Sequence, residues 1–115
     1  MMTHLSRVVV STGSLPRALT FYGDLLGLPV AASGAGLATL EAGDGVSVLL
    51  HERASMPSDT SVAASFVVRG LDEVVARWSA GGGAVVDPPA AQPWGERMAV
   101  VRDPDGHLVC LVDAG

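Results

Sequence analysis

Residues 100–113 read VVRDPDGHLVCLVD, and this stretch decides the fold. Two runs rich in Val and Leu flank Asp103-Pro104-Asp105-Gly106. Asp opens a turn, Pro presets φ at its second position and Gly closes it, which is the composition of a type I turn extended by a bulge at Gly106. Pro104 and Gly106 would break a helix. The stretch is therefore a β-hairpin, and by itself it carries no chemistry.

Working back from the hairpin, residues 71–80 place Leu71, Val74, Val75 and Trp78 at helical spacing, and Gly81-Gly82-Gly83 stops the run. A strand at 62–69 precedes this helix. Val85-Val86 reads as a strand after it, and 87–95 as a loop. Residues 53–61, RASMPSDTS, are a polar linker. Before the linker the same order occurs. A β-branched strand at 7–12 leads to Ser14, an N-cap with Pro16 in the first turn. Leu15, Ala18, Leu19, Tyr22, Leu25 and Leu26 recur at helical spacing until Gly27 and Pro29 end the helix. Three short apolar segments follow at 29–32, 36–41 and 46–52, punctuated by Gly34, Gly36, Gly43 and Gly45. Each half thus reads βαβββ, with module one at about 5–52 and module two at 62–113.

The halves also align residue by residue. Val10 meets Phe66, Leu15 meets Leu71, Ala18 meets Val74, Leu19 meets Val75, Tyr22 meets Trp78 and Gly27 meets Gly83. A slightly larger shift then pairs Asp44-Gly45 with Asp105-Gly106 and Leu49 with Cys110. Agreement of register and element order points to an internal duplication.

The bulk numbers narrow the function classes. The 115 residues suffice for one domain with a real core. Apolar residues make up 49% and aromatics only 4%, so the core rests on small aliphatic side chains and close packing. A formal net charge of −5 with no basic stripe excludes a nucleic-acid binder but not a cationic ligand. The single cysteine, Cys110, cannot form an intramolecular disulfide, and no run reaches the length of a signal or membrane segment. The expectation is a cytoplasmic protein that contacts no membrane.

These features resemble the vicinal oxygen chelate superfamily, whose members include glyoxalase I, extradiol dioxygenases, and fosfomycin- and bleomycin-resistance proteins. The resemblance is carried by Leu15-Pro16-Arg17-Ala18-Leu19-Thr20-Phe21-Tyr22 with Leu25-Leu26-Gly27-Leu28, by Pro93-Trp94-Gly95, and by Arg102-Asp103-Pro104-Asp105-Gly106-His107-Leu108. It implies an α+β fold of two tandem βαβββ modules, a curved mixed sheet forming a cup with helices on its outer face, and a homodimer. One such fold hosts several chemistries.

Metal-dependent members of that superfamily take ligands from the first and last strand of each module. The positions matching them here are Arg7, Leu49, Ala63 and Cys110. Arg offers no lone pair, and Leu and Ala are inert. Cys110 alone does not make a site. His4, His51 and His107 do not restore one, because no two of them have ligand spacing on one strand face. The expectation is therefore no metal and no cofactor.

Strand alternation assigns the cup lining as Arg7, Val9 and Ser11, then Ser47, Leu49 and His51, then Ala63, Ser65 and Val67, then Leu108, Cys110 and Val112. Such a lining suits a planar or aromatic small organic molecule held by shape. Trp94, outside any periodic pattern, is either a stacking surface or a plug of the cup edge or the dimer interface. Arg97 and Arg7 either meet a ligand anion or pair with a neighbouring carboxylate, and Met98 either lines a plastic pocket or fills space. Cys110 reads as a small buried hydrophobe unless His51 reaches it as a base. The reading is a metal-independent binding protein, possible roles being sequestration of an antibiotic or other natural product. The alternative is a lyase, isomerase or dioxygenase of the same superfamily, without metal or, after a register error, with one.

Overall fold

The computed structural model describes residues 3–115. Packing divides the chain after Ser55 into two compact units.

In the first unit, β1 (Arg7–Thr12) leads to α1 (Leu15–Leu19), which continues as a π-helical turn over Thr20–Leu25, and then to β2 (Val30–Gly34), β3 (Leu37–Glu41) and β4 (Ser47–Glu52). The sheet order is β1-β4-β3-β2. Strand β1 runs parallel to β4, and the other neighbours are antiparallel. Ser14 caps α1, its Oγ accepting from Arg17 N at 3.4 Å, and Glu52 Oε2 accepts from Leu15 N at 2.8 Å. A carboxylate there also complements the positive end of the helix. The buried face is built from Ala38, Leu40, Val48 and Leu50 of the sheet with Ala18, Phe21 and Tyr22 of the helix.

The helix departs from the regular one that the spacing predicts. Leu26 N donates to Phe21 O at 2.9 Å, a five-residue step. In an α-helix Phe21 and Tyr22 would project about 100° apart. Both are nevertheless buried within this wider turn, at 2% exposure. Gly27 then ends the helix at φ +86°, the left-handed position expected of it.

The second unit holds β5 (Ala64–Val68), α2 (Leu71–Ala80), β6 (Ala84–Ala91), β7 (Arg97–Arg102) and β8 (Leu108–Asp113). Its sheet order, β5-β8-β7-β6, repeats the first, again with a parallel first pair. Leu71, Val74, Val75 and Trp78 of α2 are buried with Val68, Ala99, Val101, Val109 and Leu111. The duplication is thus structural. Tyr22 and Trp78 are both at most 2% exposed, and each anchors its helix to its own sheet. Both units are α+β, as the spacing predicts.

The hairpin of residues 100–113 forms as read. Gly106 N donates to Asp103 O at 2.9 Å, and Asp103 N to His107 O at 3.0 Å. Gly106 lies at φ +82°, so the type I turn closes through a glycine bulge. The buried Asp103 carboxylate accepts from Asp105 N and His107 N, both at 2.9 Å.

The 87–95 loop is corrected. Strand β6 continues through Pro88-Pro89 to Ala91. It is an edge strand, where a missing N–H breaks no inner ladder, and its pairing with β7 slips at Val85/Asp87 and at Asp87/Ala90. The connection shrinks to Gln92–Glu96 and repeats the turn chemistry of 103–107. Gly95 N donates to Gln92 O at 2.9 Å, Gln92 N to Glu96 O at 2.7 Å, and Gly95 sits at φ +100°.

The 53–61 segment is not a free tether. Arg53 Nε donates to Ser11 Oγ at 2.7 Å and Ser55 Oγ to Ser11 O at 3.0 Å, within the first unit. Ser58 Oγ accepts from Leu108 N at 2.9 Å, and Ser58 O accepts from Arg102 at 3.2 Å, within the second.

Candidate functional site

Each sheet buries one face against its helix and leaves the other open. In the first sheet the register sets Val9 beside Leu49 and Ser11 beside His51, with Arg7 beside Ser47. These alternate with the buried Val48 and Leu50, so Arg7, Val9, Ser11, Leu49 and His51 share the open face. In the second sheet Ser65 lies beside Cys110, Cys110 beside Val100, and Val112 beside Met98. They alternate with the buried Leu111 and Ala99 and so form its open face. Ala63 precedes β5 with the parity of Ser65 and is exposed.

Arg97 belongs to the other side. It neighbours Met98 in β7, so the two point to opposite faces. Its guanidinium donates to both carboxylate oxygens of Asp72 in the first turn of α2, at 2.8 and 2.9 Å, and lies 3.9 Å from Asp113. Of the two roles read for Arg97, the ion pair is the one its geometry serves. That bond holds the Asp72 carboxyl below its ordinary value. The pair contributes stability above the ordinary carboxylate range, and this is lost as pH falls through the lowered Asp72 value. Arg97→Ala is expected to move the Asp72 midpoint up in an NMR titration and to leave the open face unchanged.

Cys110 is half-buried, and burial raises its thiol above the ordinary value. Its register neighbours Ser65 and Val100 offer no base. The protonated thiol behaves there as a small apolar group.

Beside this second open face lies a cleft of about 490 Å³ lined by Asp87, Pro88, Ala90, Gln92, Trp94, Met98, Ala99 and Val100. The turn of 92–96 positions Trp94 at its third residue, where a side chain projects from the hairpin. Trp94 is 64% exposed, and its indole Nε1 donates to Glu96 Oε1 at 2.6 Å. Trp94 and Met98, both candidates from the sequence, therefore meet in one site. Asp87, Gln92 and Val100 were missed. Val100 was legible from its two-residue spacing to Met98. Asp87 was hidden by the reading of its strand as a loop.

Arg7 and Leu49 of the first unit carry no metal-ligating side chain, and of Ala63 and Cys110 in the second only Cys110 does, with burial disfavouring its thiolate. Among the described residues no group of three or more His, Cys, Asp or Glu side chains could hold a metal. Among them, too, no helix is long and apolar enough to cross a membrane.

Known structures share the fold. A glyoxalase-related enzyme from Fulvimarina pelagi superposes with a TM-score of 0.82 at 21% identity, covering 97% of this chain and 88% of that one. A glyoxalase/dioxygenase from Nostoc punctiforme gives 0.78 at 18% identity, covering 96% and 90%. A member of the Glyoxalase/bleomycin resistance protein/dioxygenase superfamily from Sphaerobacter thermophilus gives 0.73 at 22%, covering 97% and 98%. No curated protein matches the sequence. With its duplicated βαβββ order and a family model matching residues 4–111, the chain belongs to the Glyoxalase/Bleomycin resistance protein/Dioxygenase superfamily.

Proposed function

We propose that this protein binds a small planar organic molecule, without a metal, in the cleft that Trp94 lines, and that it does so as a homodimer that sequesters a natural product such as an antibiotic. The observation that carries the reading is the cleft of about 490 Å³, within the size range of small-molecule sites, with an exposed indole among its lining residues. Met98 and Val100 supply apolar lining, and Trp94 a flat surface on which an aromatic ring stacks. The donor chemistry at Arg7, Leu49, Ala63 and Cys110 supports binding without a metal.

The test is calorimetry with a panel of soluble bicyclic aromatic probes of positive, zero and negative charge, on the parent protein and on Trp94→Ala. At least one probe is expected to bind, and Trp94→Ala to weaken it about tenfold or more, as loss of a base-sized stacking contact does. No binding by any probe, or binding indifferent to Trp94, overturns the site. Native mass spectrometry should give a dimer mass, and elemental analysis no stoichiometric divalent metal.

A further inference from the structure

Resting on that reading, we infer that the cleft selects a cation, a ring-borne quaternary nitrogen or a protonated amine on an aromatic frame. The indole has one hydrogen-bond donor, and Glu96 occupies it at 2.6 Å. Trp94 therefore has no donor left for a ligand carboxylate, phenolate or carbonyl, and what it offers is its π face. Donation to an anionic acceptor also pushes electron density into the ring, which strengthens its attraction for a positive charge.

The remaining polar groups point the same way. Among the described residues that line the cleft Asp87 is the only charged one, and none is Lys, Arg or His. Gln92 spends one of its two side-chain N–H donors on Ala90 O at 3.2 Å, and its oxygen is an acceptor. The two arginines of the adjoining strand β7 are engaged elsewhere. Arg97 is held by Asp72, and Arg102 donates to Gly106 O at 2.6 Å and to Ser58 O at 3.2 Å. A cation entering the cleft meets an aromatic face, a carboxylate and an amide oxygen, whereas an anion meets that same carboxylate and no cationic side chain among the described lining residues.

The experiment uses the full chain and three water-soluble probes of one shape at neutral pH: N-methylquinolinium, quinoline and quinoline-2-carboxylate. Calorimetry at low salt is expected to rank the cation about tenfold tighter than quinoline and the carboxylate weakest. Glu96→Gln keeps an acceptor for the indole N–H and removes the charge, and Asp87→Asn removes the second charge on an exposed edge strand. Together they should reduce the ratio of cation to quinoline affinity, measured within the same variant, to about threefold or less. Equal binding of cation and quinoline, preference for the carboxylate, or a preference for the cation that survives both substitutions overturns this inference and leaves the site itself intact. Failure of all three probes to bind overturns the site instead.

Discussion

Trp78→Ala is expected to lower the stability of the protein by about 3–5 kcal/mol, the usual cost of deleting a large buried aromatic. Trp78 is fully buried, and its Nε1 donates to the carbonyl oxygen of Arg102 at 2.7 Å. The indole thus does two things. It fills the space between α2 and the sheet, and it ties the helix to β7 at the residue that enters the 103–107 turn. Alanine removes both and leaves a cavity in a core built largely of small aliphatic side chains. Against the roughly 5–15 kcal/mol that holds a domain of this size together, the loss is severe. Chemical denaturation of parent and variant checks it. Trp78→Phe separates the parts, since it keeps most of the ring and loses the donor, and should cost about 1–2 kcal/mol. A loss below about 1 kcal/mol for the alanine variant would show that α2 is not anchored by this residue.

The second large effect is expected at Asp103. The residue is 4% exposed and its carboxylate takes two backbone N–H groups of the turn, so Asp103→Ala leaves both donors without their acceptor. Each buried unsatisfied donor costs about 1–3 kcal/mol. The turn lies close enough to water to recover part of this, so the net loss should be about 2–3 kcal/mol by denaturant titration. Asp103→Asn keeps a carbonyl oxygen in place and should cost about 1 kcal/mol or less. Equal losses for Ala and Asn would show that charge, and not the acceptor, holds the turn. Gly106→Ala probes the same turn from the backbone. Its φ of +82° disfavours any Cβ, and one built there would lie 3.1 Å from Pro57 Cβ.

The hairpin at 100–113 was legible because its information is local. The order of Asp, Pro, Asp and Gly dictates φ values and hydrogen-bond donors within four residues, and the flanking Val and Leu need no distant partner to read as strand. The same holds for Ser14 as a cap, for Gly27 as a stop and for the buried stripe of α2. The duplication was legible because each helix start and buried aromatic recurs in register and glycine follows each helix. By that logic the 92–96 turn was legible too, since Gln92-Pro93-Trp94-Gly95 has the Pro and Gly spacing of Asp103-Pro104-Asp105-Gly106. It was obscured by Pro88-Pro89, which reads as a loop wherever the position of the strand in its sheet is unknown.

The sequence by itself determined the βαβββ order, the pairing of Tyr22 with Trp78 and the poverty of metal donors at Arg7, Leu49, Ala63 and Cys110. These rest on residue chemistry, local dihedral preference and periodicity. Only the tertiary structure decided that β6 runs through two prolines, because tolerance of a missing N–H depends on lying at the sheet edge. It alone decided that Arg97 turns to Asp72 on the helix side, that adjacent Phe21 and Tyr22 both bury within a π turn, and that Asp87 joins Trp94 and Met98 in one cleft. Each of these depends on which strand lies beside which, and strand partners are chosen by contacts far apart in the chain.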